Sequence, residues 1–101
     1  MEIEIEFTKD ANPWSYIDDQ DQNYMFIRCC EDYLNALLRY KGSVTLHDVL
    51  EHLGYREEKI REMIAEHGDH VWRIGDDDSI YIDVDYLRVL LGLDPIIEID
   101  I

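Results

Sequence analysis

Basic residues are the scarcest chemistry in this sequence. Nine Lys and Arg stand against 24 Asp and Glu, a formal charge of −15 over 101 residues. A field of that sign repels phosphate backbones and draws basic partners inward, so ordinary duplex binding is disfavoured from the outset. Two prolines and five glycines are too few for a linker or a low-complexity segment. No apolar run approaches the roughly 20 residues of a membrane span. The start, Met1-Glu2-Ile3-Glu4, is acidic and alternating, unlike a secretory signal. A cytoplasmic protein without a membrane contact is the expectation. The two cysteines, Cys29 and Cys30, are adjacent, and neighbours on a helix point about 100° apart. They read as reduced, with Cys30 packing as a small apolar residue.

Catalytic and cofactor signatures are missing as well. There is no glycine-rich phosphate loop, no Gly-x-Ser-x-Gly and no cysteine in the local sequence of a known nucleophile. Acids are so plentiful that any two could be named a catalytic pair, which empties that signal. Asp76-Asp77-Asp78-Ser79 opens like a calcium loop. The twelve-residue pattern, however, needs glycine at its sixth position and glutamate at its twelfth, where Tyr81 and Leu87 stand. His47 and His52 are five apart, and His67 and His70 three. Neither matches the i, i+4 pair of a zinc-binding helix. No enzyme, cofactor or metal site is expected.

What remains is a foldable chain. With 47% hydrophobic and 11% aromatic residues, its length suits one domain with a real core. Charge is placed unevenly: residues 1–22 carry −6, residues 23–68 carry −2 and residues 69–101 carry −7. Glu2 to Phe7 alternates strictly and predicts a strand with Ile3, Ile5 and Phe7 inward and Glu2, Glu4 and Glu6 outward. Three like charges on one strand face do not help folding. The plain reading is a solubilised sheet edge; the sharper one is a charged contact surface. Lys9 to Gln22 is turn chemistry, holding Asn12-Pro13-Trp14-Ser15-Tyr16 and then Asp18, Asp19 and Asp21. Trp14 and Tyr16 there either close over the core as a lid or stay out as anchors for a partner.

Asn23 to Lys41 reads as the longest helix, with Phe26, Cys30, Tyr33, Leu34, Leu37 and Leu38 on one face and Arg28, Asp32, Asn35 and Arg39 opposite. Asp21 or Asn23 can cap its start, and Gly42 suits its end. Thr45 with Asp48 resembles a capping box and opens a helix ending at Gly54, with Leu46, Val49, Leu50 and Leu53 inward. Arg56 to His67 follows, with Ile60, Met63 and Ile64 inward. Val71–Ile74 and Ile80–Val84 read as a hairpin around Gly75–Ser79. Asp85 then caps a short helix with Tyr86, Leu87, Leu90 and Leu91 inward. Ile96 to Ile101 closes the chain as a strand mirroring the first. Pairing the two would unite their acids on one face.

The fold expected is a single α+β domain, three to four helices with a small antiparallel sheet. Its units are residues 1–22 (strand and aromatic, acidic loop), a winged helix-turn-helix-like centre over 23–84, and a short helix and closing strand over 85–101. In a winged helix the second helix of the pair reads DNA and needs positive charge. Here it carries three bases and four acids, and the wing tip is Asp76-Asp77-Asp78. A DNA-binding regulator therefore ranks third.

Two binding roles rank above it. In the first, the acidic strands, the turn Asp76, Asp77 and Asp78 with Asp83 beyond it, and the loop acids Asp18, Asp19 and Asp21 stand in for phosphates and engage a basic protein surface, such as that of a nucleic-acid-binding enzyme. Alternate side chains on a strand sit about 6.5–7 Å apart, a spacing suited to phosphate mimicry. In the second, the charge only solubilises, and Trp14, Tyr16 or the helical core makes an apolar contact in an assembly or homodimer.

The segment from Tyr24 to Tyr55 resembles a family of small uncharacterised proteins of phages and mobile elements of Gram-positive bacteria. Phe26, Cys29 or Cys30, Tyr33-Leu34-Asn35 with Leu37-Leu38, Gly42, Val44, Leu46 and Val49 through Leu53-Gly54 carry the likeness. It covers about a third of the chain. Beyond Leu53-Gly54 the charged stretch Tyr55–Glu66 departs from the family's glycine-rich, apolar continuation. The resemblance implies a mobile-element origin and, with it, a host-directed or defence-inhibiting binder; it transfers no function and no site residues.

Overall fold

The computed structural model describes residues 1–75 and 79–101. The chain runs β1 (Glu2–Glu6), α1 (Gln20–Lys41), β2 (Ser43–Thr45), α2 (Leu46–His52), α3 (Glu57–His67), β3 (Val71–Arg73), β4 (Ile82–Val84), α4 (Tyr86–Leu90) and β5 (Ile96–Asp100). It is an α+β domain with four helices and small antiparallel sheets among the described residues.

The first and last strands pair as their matching alternation suggests. β1 lies antiparallel to β5 with Ile3 opposite Ile99 and Ile5 opposite Ile97, and β5 also pairs with β4, giving the order β1-β5-β4. Alternation then sorts the side chains. Ile3, Ile5, Ile82, Ile97 and Ile99 are buried beneath the sheet, where they meet Ile27, Leu34 and the inner faces of α2 and α3. Phe7 is fully buried beside Tyr16, Phe26 and Tyr55, ring centroids 6.0, 6.0 and 6.4 Å away.

α1 starts three residues earlier than its apolar periodicity indicates. Asp19, rather than Asp21 or Asn23, is the N-cap, its carboxylate accepting from the Gln22 N–H, and Gly42 closes the helix at φ +87°. Asn23 is instead buried and turned back on the chain, accepting from the Ile17 N–H and donating to the Ile17 carbonyl. Asn35 does the same to Ile80, with both bonds at 2.8 Å. Its place opposite the apolar face does not make it a solvent residue. Tyr33, expected in the core, is about half exposed and stacks on His52 with centroids 4.3 Å apart. The capping box of Thr45 and Asp48 is present, and Leu46, Val49, Leu50, Leu53, Ile60 and Met63 are buried.

The order α1-β2-α2-α3-β3, with Val44 opposite Trp72, is compatible with a winged-helix centre. The expected hairpin, however, divides between two sheets: β3 pairs with β2, and β4 pairs with β5. Local turn chemistry could not foresee this, because β5 offers Ile97 and Ile99 to Val84 and Ile82 from the far end of the sequence. The last helix also differs. Of its apolar residues only Val89 is buried, and Tyr86, Leu87, Leu90 and Leu91 face solvent. Five residues make less than two turns, enough to seat one side chain and leave the rest outside.

Candidate functional site

The outer face of the β1-β5-β4 sheet is where alternation places carboxylates. Glu2 lies opposite Asp100, Glu4 opposite Glu98, and Glu98 opposite Asp83. Glu4, Glu98 and Asp83 thus form a row across all three strands. The pairing pattern fixes how close they are. Phe7 N–H donates to the Pro95 carbonyl and Ile101 N–H to the Met1 carbonyl, so odd-numbered residues of β1 make the ladder bonds to β5. Glu2–Asp100 and Glu4–Glu98 are then non-hydrogen-bonded pairs, the type with Cα atoms only about 4.5 Å apart. Like charges directly opposite destabilise a sheet. The strain registers on Glu98, whose carboxyl is held above its ordinary range by Glu2 first, then by partial desolvation, a hydrogen bond with Glu2, Glu4 and Asp83.

The acids of the loop come together elsewhere. Asp18, Asp19 and Asp21 line a recess of about 480 Å³ with Tyr16, Leu90 and Asp94. Tyr16 is half-buried there, its hydroxyl donating to Asp94 Oδ1 while Gln20 Nε2 donates to the Tyr16 oxygen at 3.1 Å. That bond to Asp94, with burial second, raises the Tyr16 pKa. Tyr16 therefore serves as the lid on Phe7. Trp14, by contrast, is 84% exposed and closes over nothing. Ser15 beside it is tied down, its hydroxyl donating to the Leu53 carbonyl at 2.7 Å. The indole stands on an anchored turn.

Of the residues singled out from the sequence, Asp83 belongs to the sheet face; Asp18, Asp19, Asp21 and Tyr16 share the recess; Trp14 stands alone. Asp76, Asp77 and Asp78 lie outside the described residues. The outward acids of the two terminal strands, read from the sequence as a possible charged contact surface, come together on one face because β1 pairs with β5. Sequence reasoning missed the apolar ridge of Leu87, Leu90 and Leu91, each about two-thirds exposed. Helical spacing marks an apolar face but not which way that face points.

Other chemistry is sparse. Cys29 is exposed and Cys30 buried, both free; burial, then the neighbouring Cys29, pushes the Cys30 thiol up to about 11. Among the described residues no three His, Cys, Asp or Glu side chains are grouped to hold a metal ion, and no helix is long and apolar enough to cross a membrane. A groove of about 620 Å³ runs between β1 and α3, bordered by Glu4, Glu6, Asp10, Glu58 and Glu62 against Arg56 and Lys59. Comparison with known proteins found no matching family model, no matching curated protein and no matching solved structure.

Proposed function

We propose that this chain is an acidic binding protein, phage- or mobile-element-encoded, that engages a basic surface on a nucleic-acid-binding host protein as a nucleic-acid mimic or defence inhibitor. The observation that carries this reading is the row Glu4–Glu98–Asp83 with Glu2 and Asp100 beside it. Folding alone does not favour such a row. The sheet could be built with polar neutral residues at the same positions, and a cationic partner relieves the repulsion that raises the Glu98 pKa. Across strands the carboxylates repeat at about 4.5–5.5 Å and along them at about 6.5–7 Å, a grid of fixed negative charge. The likeness of Tyr24–Tyr55 to mobile-element proteins supports the origin.

The test is capture of partners from bacterial lysate on the tagged protein, with washes at low and high salt. Wild type is expected to retain a basic nucleic-acid-binding protein that elutes at high salt and is displaced by added duplex. The triple variant Glu4→Lys/Asp83→Lys/Glu98→Lys should lose it, and Trp14→Ala should not. A second reading is favoured by the exposed ridge of Leu87, Leu90 and Leu91 and, apart from it, by exposed Trp14: an interaction module, or homodimer, held by apolar contact. Salt-resistant capture lost in Leu90→Asp and kept in the lysine triple would decide for that reading.

A further inference from the structure

The two outer strands of the three-stranded sheet are finished differently. On β4 the edge is closed by α1: Glu31 accepts from the Ile82 N–H at 2.6 Å, and Asn35 takes both the N–H and the carbonyl of Ile80. On β1 the groups pointing away from β5 belong to Glu2, Glu4 and Glu6, because the odd residues face β5. The Tyr55 hydroxyl covers the Glu6 carbonyl at 3.0 Å. The main chain of Glu2 and Glu4 has no partner on that side among the described residues. Unpaired donors and acceptors on an edge strand are a template for another strand. The groove beside this edge has room for one, with apolar atoms of Ile5 and Ala11 and five carboxylates against two bases. Both bases are engaged: Lys59 pairs with Glu62 at 3.5 Å, and Arg56 Nε donates to the Asp10 carbonyl at 2.6 Å.

We propose that β1 accepts an extended basic segment of a partner protein as an added antiparallel strand, with Lys or Arg at alternate positions facing Glu2, Glu4 and Glu6. A second copy of this chain does not suit the edge, since β1 against β1 sets glutamate opposite glutamate. An alternating basic strand matches it in charge and period. The proposal rests on the reading of the sheet face as a surface for basic partners and specifies how that partner docks. It also fixes which peptide groups bond. Residues opposite Glu2, Glu4 and Glu6 share their face of the sheet, and in antiparallel pairing these basic residues turn their own N–H and C=O toward β1.

The experiment measures binding of labelled hexapeptides to the intact protein by fluorescence anisotropy. One peptide alternates lysine and valine; two derivatives carry N-methyl groups, either on every lysine or on every valine. A fourth has the same composition with lysines and valines in separate blocks. Methylation at lysine is expected to weaken binding at least tenfold, and methylation at valine to change it less than about twofold. The unmodified alternating peptide is expected to slow amide exchange at Glu2 and Glu4. Equal binding of the two methylated peptides and the block peptide would overturn strand addition while leaving the acidic surface intact. Failure of every lysine peptide to bind would remove both readings.

Discussion

Asn35 is where the sheet is fastened to the long helix, and truncating it gives a sharp prediction. Its side-chain amide accepts from the Ile80 N–H and donates to the Ile80 carbonyl, both at 2.8 Å, and Ile80 is fully buried. Asn35→Ala leaves two main-chain groups without partners at the seam between α1 and β4. Each such loss costs about 1–3 kcal/mol, and the lower end applies because half-buried Asn35 lets water approach. Replacing Asn by Ala inside a helix returns about 0.5 kcal/mol. The net expectation is a loss of about 1.5–2.5 kcal/mol, a fall in Tm of roughly 6–20 °C for a domain of this size. Urea unfolding followed by circular dichroism measures the first quantity. Native-state amide exchange at Ile80 reports the local loss. Asp32→Ala, on the exposed side of the same helix, is the control and should stay within about 0.5 kcal/mol of wild type. If Asn35→Ala unfolds at the same urea concentration as that control, the amide clamp contributes nothing and the account of how β4 is closed is wrong.

Three further outcomes follow from other parts of the fold. Glu98 has a raised folded pKa against about 4.3 for an unfolded glutamate. The native state therefore holds the extra proton between the two values, and stability falls as pH rises through that window. Glu98→Gln should be more stable than wild type above the window and equal to it below, and a gap that does not change between pH 3 and 8 would contradict the like-charge origin. Gly54→Ala should cost about 1–3 kcal/mol more than Gly92→Ala when urea midpoints are compared. Both positions have positive φ, but a Cβ on Gly54 would collide with Ser15 Oγ and lie 2.8 Å from Ser15 Cβ, whereas at Gly92 it meets nothing within 4 Å. In native protein at pH 8 a thiol reagent should modify Cys29 quickly and Cys30 only on unfolding, because burial keeps the Cys30 thiol protonated; two fast thiols by mass spectrometry would refute its burial.

The parts of the fold legible in sequence are those where one face is buried and the period is clean. Strict alternation in Glu2–Phe7 and Ile96–Ile101 places both strands and sorts their side chains. The capping box at Thr45 and glycines at positions 42, 54 and 68 bracket α2 and α3. The failures share a cause, which is that sequence proximity does not choose partners. Val71–Arg73 pairs with β2 and Ile82–Val84 with β5, because each finds a better apolar match than the other. Asn23 reads as a helix cap and Asn35 as polar surface on a helical wheel, yet each completes the hydrogen bonding of a turning or distant segment. The candidate surface is half visible: alternation shows the acids of both terminal strands on one face, and the row that Glu4 and Glu98 form with Asp83 needs the register of β5.

The junction of β1 with β5 also governs how the molecule assembles. Glu2 meets Asp100, so the sheet closes a loop of nearly the full sequence, at an entropic cost of about 4 kcal/mol for a flexible chain of that length. Pairings of such separation slow folding, because the cost of closing the loop comes before the contacts that offset it. The helical middle, whose partners lie close in sequence, can gather first while β1 waits with Ile3, Ile5 and Phe7 uncovered. During that interval the same glutamates that crowd the finished sheet keep waiting strands of neighbouring molecules apart. Their repulsion in the native state thus has a counterpart in the folding reaction, as a safeguard against premature pairing.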